Sequence, residues 1–457
     1  MIKYETDSRK VKPGQTFVAI NGYTVDGHDY IESAVKNGAV EIIAEKEVET
    51  SVPVTVVENS AKYFQEKLVD EYSNDFKNLK LVGITGTNGK TTSAYLTYQM
   101  LNKLGKKTAY IGTIGFMCGD YYEELQNTCP EILTIYKLFE YCLDNNIEYV
   151  VMEVSSHALD LKRIEGLKFD VCAFTNLTED HLDYHKTMDK YLECKLMILD
   201  YLKNDGVMLV NNDDEASQKF KEKYLNTKTF GMNGADYDVK SFDIHPDHTL
   251  INFKVFGEDY QVITNLTCKF NIYNYMTMFA IVHELGFDSN DIINITKELK
   301  QPKGRCETYK VKDGFAVVDY AHTPDAVLKV VTAYKELAKA RVITLVGCGG
   351  DRDPMKRPIM GKIASDYSDY VIFTNDNPRT EDPEKIMKDI LAGVEKDNYE
   401  VCLDRKEAIK KALDMIEKDD IVLLLGKGHE DYQIIGHTKV HLDDSEEILK
   451  YVDIFKE

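Results

Sequence analysis

Gly86, Thr87, Asn88, Gly89, Lys90, Thr91 and Thr92 form one unbroken run after an apolar stretch at residues 79–85 and before a helical pattern at residues 91–104. A strand, a glycine-rich turn and a helix start are the setting for binding phosphate. Glycines allow the tight turn, backbone N–H groups point at phosphate oxygens, Lys90 brings a cation, and the Thr91 hydroxyl suits Mg²⁺. The run departs from the strict G-x-x-x-x-G-K-[ST] pattern, because five residues separate Gly83 from Gly89 instead of four. It is expected to bind ATP.

Further along, Glu153 ends a strand-like run at residues 149–154, and N-L-T-E-D-H-L-D-Y-H occupies residues 176–185. Glu153 is a candidate Mg²⁺ ligand, since hard cations take oxygen donors. His181 and His185 at i, i+4 have the spacing of a zinc pair, but no third ligand stands at a characteristic distance. His185 also reads as a hydrogen-bonded structural histidine.

The elements that position these residues follow from the apolar pattern. Three blocks are expected, at residues 1–78, 79–301 and 302–457, each α/β, with no internal repeat. The first holds short β-rich runs at 15–20 and 40–44 around a turn at 21–27. The second adds strand-like runs at 170–175 and 207–211, and a helix over 188–199. In the third, strands at 315–319, 342–346, 370–374, 399–403 and 421–425 alternate with helices starting at Pro324, Arg357, Pro383 and Lys406. Such alternation implies parallel βαβ units. Ligands of open α/β sheets meet the carboxyl ends of strands. Polar clusters stand at those ends, at residues 347–352, 375–379 and 426–430.

Bulk properties narrow the class. The chain has 457 residues, 43% of them hydrophobic, with 56 Lys and Arg against 77 Asp and Glu, a formal charge of −21. The sequence pI is near 5.1. That balance argues against nonspecific binding to nucleic acid or anionic membranes. No run is long enough to span a bilayer or act as a signal peptide. Nine cysteines are present, none in a C-x-x-C pair. Reduced thiols and a cytoplasmic setting are expected.

Residues 85–92 (T-G-T-N-G-K-T-T) resemble the loop of the Mur ligases and of folylpolyglutamate synthetases. Beyond the loop, the chain resembles the Mur ligase family over nearly its whole length. The resemblance implies a small α/β UDP-binding domain, a central P-loop-type ATPase domain with a parallel sheet, and a Rossmann-like carboxyl-terminal domain. It implies that Glu153 and His181 hold Mg²⁺. It also implies that Lys195, in Glu193-Cys194-Lys195, carries a CO₂-derived carbamate that helps seat a second Mg²⁺. Asn274, in F-N-x-Y-N, matches an adenine contact. Arg305, in G-R-C-E, matches a phosphate contact, with Cys306 a departure from the usual G-R-F. Asp319 and His322, in D-Y-A-H-T-P, match positions at the ribose and near the nucleotide.

The same resemblance points to the family's third-residue-adding ligases. Ser8 matches a uridine contact. Asn127, Thr128 and Cys129 align with N-T-T, which grips a UDP-muramyl dipeptide, and Cys129 replaces a threonine. Ser155 and Arg163 match further contacts to that substrate. Asp376-Asn377-Pro378-Arg379 is the form associated with a meso-diaminopimelate acceptor, whose second carboxylate a guanidinium can bind in a fork. Arg352, Gly426 and Glu430 match further contacts to the acceptor. The implied reaction joins the acceptor to the D-Glu carboxylate of the dipeptide through an acyl phosphate. The enzyme is expected to use ATP and Mg²⁺, to take only small-molecule substrates, and to be a monomer. Two other readings stay open: an amide ligase using lysine, lanthionine or another carboxylate, and a noncatalytic ATP-binding module. The joint presence of Lys195 and the acceptor arginines disfavours the module.

Overall fold

The computed structural model describes residues 2–22 and 25–454. Tyr23 and Thr24, inside the turn expected at 21–27, lie outside the described residues, as do Met1 and residues 455–457. The chain divides into two compact units, Met1–Phe230 with Thr277–Asp288, and Gly231–Met276 with Ser289–Glu457.

In the first unit, Tyr4–Glu5, Thr16–Val18, Glu41–Ala44 and Val54–Val56 form a parallel four-stranded sheet in chain order. Neighbouring strand residues point to opposite faces, and both faces are covered. Phe17 and Ile42 enter one core with Ile31 and Ala34, whereas Val18 and Ile43 enter another with Phe64 and Leu68. Two-sided burial makes such strands read as continuous apolar runs rather than alternating ones.

The unit's larger sheet places Lys80–Thr85 between Phe169–Phe174 and Tyr149–Glu153, all parallel. Leu202–Asn211 flanks one side and Thr108–Gly112 the other. The chain leaves Lys80–Thr85 through the helix Lys90–Lys103 and returns two strands away, at Thr108–Gly112. Strands on either side of Lys80–Thr85 are thus reached by separate crossovers, which opens a crevice at its carboxyl end. The glycine-rich loop sits there. The helix expected over 188–199 is shorter, Met188–Leu196, and a 3₁₀ turn, Met197–Tyr201, follows. The tighter turn buries Tyr201, whose hydroxyl donates to Glu165 Oε2 at 3.0 Å, and leads into Leu202–Asn211.

The second unit contains an antiparallel meander, Tyr237–Ile244, Thr249–Val255 and Glu258–Thr264, that the sequence reading did not single out. Its main sheet has the order Glu307–Val311, Gly314–Asp319, Ile421–Leu425, Val342–Val346, Tyr370–Phe373, Tyr399–Val401. All pairs are parallel except the edge strand Glu307–Val311, which returns antiparallel. The fully buried central strand alternates between two cores. Ile421, Leu423 and Leu425 pack on one side, Val422 and Leu424 on the other. Among the described residues, no helix is long and apolar enough to cross a membrane.

One buried ion pair fixes the end of that central strand. Arg405 and Asp444 are both fully enclosed. Arg405 Nε donates to Asp444 Oδ1 at 2.8 Å, and Nη2 donates to Asp444 and to the Leu425 carbonyl at 3.2 Å. The pair ties the helices Arg405–Asp414 and Asp444–Ile454 to the residue preceding Gly426. Asp444→Ala would strand a buried guanidinium, at a cost of about 3–5 kcal/mol. Urea unfolding should register that loss, and a change below about 1 kcal/mol would show that the pair does not anchor the strand end.

Candidate active site

In the first unit, the loop after Lys80–Thr85 is shaped by a neighbouring strand end. Gly86 has φ +143°, and a Cβ there would lie 1.9 Å from Thr175 Oγ1. Thr175 Oγ1 donates to the Asn88 carbonyl at 2.6 Å, and Asn88 N donates to Asn176 Oδ1 at 2.9 Å. Asn88 Nδ2 donates to Thr178 Oγ1 at 3.1 Å, and Thr87 Oγ1 lies 3.3 Å from the Tyr191 hydroxyl. Residues 175–178, quoted in the sequence for other reasons, are therefore the scaffold of the phosphate loop. Gly89, at φ +86°, caps the helix Lys90–Lys103. Exposed N–H groups at this helix start suit an anion.

Two lysines converge on the loop. Lys90 Nζ donates to the carbonyls of Gly86 at 2.8 Å and Thr87 at 2.9 Å. Lys195 Nζ donates to the same Gly86 carbonyl at 2.9 Å. Lys195 is 1% exposed and lies 4.3 Å over the Tyr191 ring. Burial first, and the Lys90 charge second, hold its pKa well below the usual lysine value. Desolvation and a like charge both favour the neutral amine.

Glu153 is fully buried at the end of its strand. Its Oε1 accepts from the Tyr110 hydroxyl at 2.6 Å and Thr113 N at 2.8 Å. Its Oε2 accepts from Thr91 Oγ1 at 2.9 Å and Thr113 Oγ1 at 3.2 Å. Thr113 Oγ1 also lies 3.1 Å from Thr128 Oγ1, linking the loop's helix to the expected dipeptide segment. Tyr110 and Thr113 escaped the sequence reading. They belong to no contiguous motif, and only the pairing of Thr108–Gly112 beside Tyr149–Glu153 brings them in.

The histidines separate by environment. His185 is buried, with Nε2 2.9 Å from Ser156 Oγ and its ring stacked on Tyr191. Burial lowers its pKa. This is a structural histidine. His181 is about half exposed at φ +53°, with its ring 5.1 Å from His157 and Nε2 3.5 Å from Asp180 Oδ2. Among the described residues, no group of three or more His, Cys, Asp and Glu is arranged to hold a metal ion. The oxygen donors at the loop are instead Glu153 and the Thr91 hydroxyl.

Among the residues expected at the UDP-dipeptide, Ser8 is buried, and its carbonyl accepts from Asn37 Nδ2 at 2.8 Å. Ser155 caps the short helix Ser156–Asp160, accepting from Ala158 N at 3.2 Å. Arg163 donates to the Cys129 carbonyl at 3.0 Å and pairs with Glu131. Asn127 is exposed, but the Cys129 side chain is 1% exposed, and burial pushes its thiol up to about 12. Cys129 thus presents its carbonyl to Arg163 while its side chain packs inward.

In the second unit, the clusters at the strand ends come together. Asn377 Nδ2 donates to Glu430 Oε2 at 2.8 Å, and Asn377 Oδ1 accepts from Ile434 N at 2.9 Å. Arg379, at φ +51°, donates from Nη1 to the Gly350 carbonyl at 2.8 Å. Its backbone joins a two-stranded hairpin, Tyr432–Ile435 with Thr438–His441, through Ile434 and Gly436. Arg352 is exposed, and its Nη1 donates to the Asp351 carbonyl at 3.3 Å. A Cβ on Gly426 would meet Asp376 Oδ2 at 2.6 Å, so only glycine fits there. Lys427, inside the polar cluster at 426–430 but given no role there, is wholly buried, with Nζ 3.2 Å from Glu430 Oε2 and donating to the Tyr432 carbonyl. Its position between two glycines was the available signal.

Nearby, the Arg305 guanidinium lies 4.8 Å over the Tyr320 ring. Asp319 Oδ2 accepts from Cys306 N and Oδ1 from Ala321 N, both at 2.8 Å, and burial raises its pKa. Asp319 Oδ2 also accepts from the Cys306 thiol at 3.4 Å, which leaves the spare lone pair on Oδ1 for a further donor. His322 is exposed, with Nδ1 2.7 Å from the Tyr320 carbonyl. His429, 5.0 Å from the Tyr320 ring, is pushed down to about 4, chiefly by burial and then by Arg305. Asn274 is buried and donates to Asn271 Oδ1 at 2.8 Å.

Comparison with known proteins agrees across the chain. Residues 4–79 match the family model described as Mur ligase family, catalytic domain. Residues 84–282 match the Mur ligase middle domain, and residues 304–428 match the Mur ligase, glutamate ligase domain. A relative from Clostridium botulinum, named UDP-N-acetylmuramoyl-L-alanyl-D-glutamate--2,6-diaminopimelate ligase, is 41% identical over 98% of this chain and 94% of its own length. A relative of the same name from Bacillus cereus is 41% identical over 97% and 92%. A solved structure with that name superimposes with a TM-score of 0.73 at 30% identity, covering 100% of this chain and 96% of the other. A MurF ligase from Thermotoga maritima in complex with ADP, with a TM-score of 0.69 at 21% identity over 99% and 97%, shares the fold. With three family models covering most of its length and relatives above 40% identity end to end, this chain belongs to the Mur ligase family.

Proposed function

We propose that this chain is an ATP-dependent, ADP-forming amide ligase that adds meso-diaminopimelate to the D-Glu carboxylate of UDP-MurNAc-L-Ala-D-Glu, in peptidoglycan precursor synthesis. The observation that carries the chemistry is the convergence of Lys90 and Lys195 on one carbonyl of the phosphate loop. The relatives' shared name supports the acceptor and the dipeptide. The proposal divides the chain into a UDP-binding domain at 1–78, an ATP-binding domain at 79–301 and an acceptor domain at 302–457. It also takes the enzyme to be a cytoplasmic monomer.

The D-Glu carboxylate attacks the γ-phosphorus of ATP. A carboxyl O–P bond forms, and the bond to the β-phosphate oxygen breaks, releasing ADP. Lys90 exchanges its carbonyl partners for phosphate oxygens and stabilises the charge in transfer. Thr91 and Glu153 fit a hard cation by their oxygen donors, and the family pattern adds His181 and Lys195 as its carbamate; Mg²⁺ held there would neutralise phosphate charge. A depressed pKa leaves Lys195 with the free amine that CO₂ requires. Asn274, Arg305, Asp319 and His322 contact the nucleotide, while Ser8, Asn127, Thr128, Ser155 and Arg163 contact the UDP-dipeptide. Asp376, Asn377, Arg379, Arg352, Gly426 and Glu430 hold the acceptor. Its amine attacks the acyl carbon, loses a proton, and expels phosphate.

Lys90→Ala should retain the wild-type melting temperature and lose ADP formation by at least ~10²-fold, as for removal of a preorganised charge partner. Near-wild-type turnover in the folded variant would remove the loop from the mechanism.

Lys195→Ala should be inactive in plain buffer and partly recovered by acetate, whose carboxylate replaces the carbamate oxygens. Carbon-13 NMR of wild type under labelled CO₂ should show one carbamate signal that the variant lacks. An active variant, or a wild type with no such signal, would refute the role.

Arg379→Ala should reduce kcat/KM for diaminopimelate by roughly 10–150-fold, the loss of one charge-assisted hydrogen bond worth about 1.5–3 kcal/mol. Lysine lacks the far carboxylate and leaves the arginine unmatched, so it should be a poor substrate of the wild type. The variant should narrow the gap between the two acceptors. Equal slowing of both, or a wild-type preference for lysine, contradicts the diaminopimelate reading.

A further inference from the structure

Arg357 is 1% exposed, one of the two largest fully enclosed side chains among the described residues. It stands at the start of the helix Lys356–Tyr367, beneath the two loops that carry Arg352 and Arg379. Its Nη2 donates to Glu381 Oε1 at 2.8 Å and to the Gly349 carbonyl at 3.3 Å. Its Nη1 donates to Glu381 Oε2 at 3.0 Å and to Asp389 Oδ2 at 2.9 Å. Glu381 thus receives a two-pronged guanidinium contact, the geometry that fixes orientation as well as distance. It also accepts from Asp351 N at 2.6 Å. Asp351 in turn accepts from the Thr380 hydroxyl at 2.8 Å. One buried cation therefore reaches both loops, at Gly349 on one side and at Glu381 on the other.

The loops are in close backbone contact. Gly350 N donates to the Asn377 carbonyl at 2.9 Å, and a Cβ on Gly350 would lie 1.9 Å from the Pro378 carbonyl oxygen. Each loop also holds a nonglycine residue in the left-handed region, Asp351 at φ +53° and Arg379 at φ +51°. Such conformations persist only where surrounding contacts over-determine them. Glu381 supplies that contact for Asp351. The turn at Asp351 aims Arg352, and the turn at Arg379 aims its own guanidinium.

We propose that Arg357 and Glu381 are positioning residues that lock the loops at 347–353 and 375–381 together and so set the spacing of the two acceptor-binding arginines. The inference rests on the acceptor reading given above. Neither residue touches the acceptor. They act through Asp351, Gly349 and the backbone of the second loop. Asp389 shares the guanidinium but belongs to the helix Pro383–Leu391, away from the loops, so the two arms of Arg357 can be tested separately.

The experiment compares Glu381→Gln with Asp389→Asn in the full-length enzyme. Each removes one carboxylate charge from Arg357 and keeps the side-chain shape. Melting temperature reads the structural cost, and separate KM values are taken for acceptor, ATP and UDP-dipeptide. Glu381→Gln should raise the acceptor KM by about tenfold or more, since small misplacements of binding groups carry large kinetic costs. Its KM for ATP and UDP-dipeptide should stay within about twofold. Asp389→Asn should lower the melting temperature comparably and leave the acceptor KM within about twofold. An unchanged acceptor KM in Glu381→Gln, or an equal rise in Asp389→Asn, overturns the proposal. If the wild type uses another amine in place of diaminopimelate, the acceptor reading fails by that result alone. The same KM comparison, made with that amine, then decides the positioning role independently.

Discussion

Two ammonium groups cannot share one buried carbonyl without consequence. Lys90 and Lys195 both reach Gly86 O, and Lys195 is almost wholly enclosed. At an effective dielectric of ~20, two unit charges ~4 Å apart repel by about 4 kcal/mol. Burial first, and this repulsion second, act on the group with less access to water, so Lys195 carries the depressed pKa. A neutral amine beside a fixed cation favours gaining negative charge. The proposed carbamate would turn the repulsion into an attraction toward Lys90. The loop geometry depends on both lysines, because their shared acceptor is the first residue after the strand Lys80–Thr85.

The scaffold makes that crowding reproducible. Gly86 lies so close to Thr175 that no side chain fits, and residues 175–178 hold Thr87 and Asn88 by side-chain hydrogen bonds. These residues end a strand paired directly with Lys80–Thr85. The same solution recurs in the second unit, where Asn377 and Glu430 meet across the ends of two strands that flank Val342–Val346, and buried ion pairs sit behind them. Rigid parallel strands deliver the backbone to the site, and polar contacts between loops then fix the side chains.

Local signals were legible in the sequence, and long-range ones were not. The glycines, Lys90 and Thr91 are contiguous, so one stretch contains the whole loop despite its altered spacing from Gly83. The five parallel strands of the second unit's main sheet were found to within a residue or two because apolar runs buried on both faces stand out from their flanks. Tyr110, Thr113, Arg357, Glu381 and Lys427 carry no local pattern. Their roles exist only once separate strands pair. The meander at 237–264 was missed for a different reason. Its strand Thr249–Val255 alternates with Ile251, Phe253 and Val255 inward, but in Tyr237–Ile244 polar Asp238 is buried and Phe242 is exposed, so burial there does not follow residue type. Cys129 was legible only as a replacement for a threonine; that its neighbours bury the thiol and leave the carbonyl to Arg163 needed the fold.

Charge distribution explains why the proposed acceptor arginines need such support. The chain carries a formal charge of −21, so its average surface potential opposes the far carboxylate of the proposed acceptor. Local positive potential must come from cations whose charge is not already cancelled. Lys427 does not qualify, being paired with Glu430. Arg357 does not qualify either, since Glu381 and Asp389 neutralise it. Arg352 and Arg379 differ. Each donates to a backbone carbonyl, and among the described residues neither forms a salt bridge with a carboxylate. A carbonyl orients a guanidinium without cancelling its net charge. Left so exposed, two neighbouring guanidinium groups would swing apart on flexible stems. The strained turns at Asp351 and Arg379 prevent this by fixing the backbone from which each stem starts. On the proposed acceptor reading, the neutralised Arg357 thus braces two loops whose own arginines keep charge to offer a substrate.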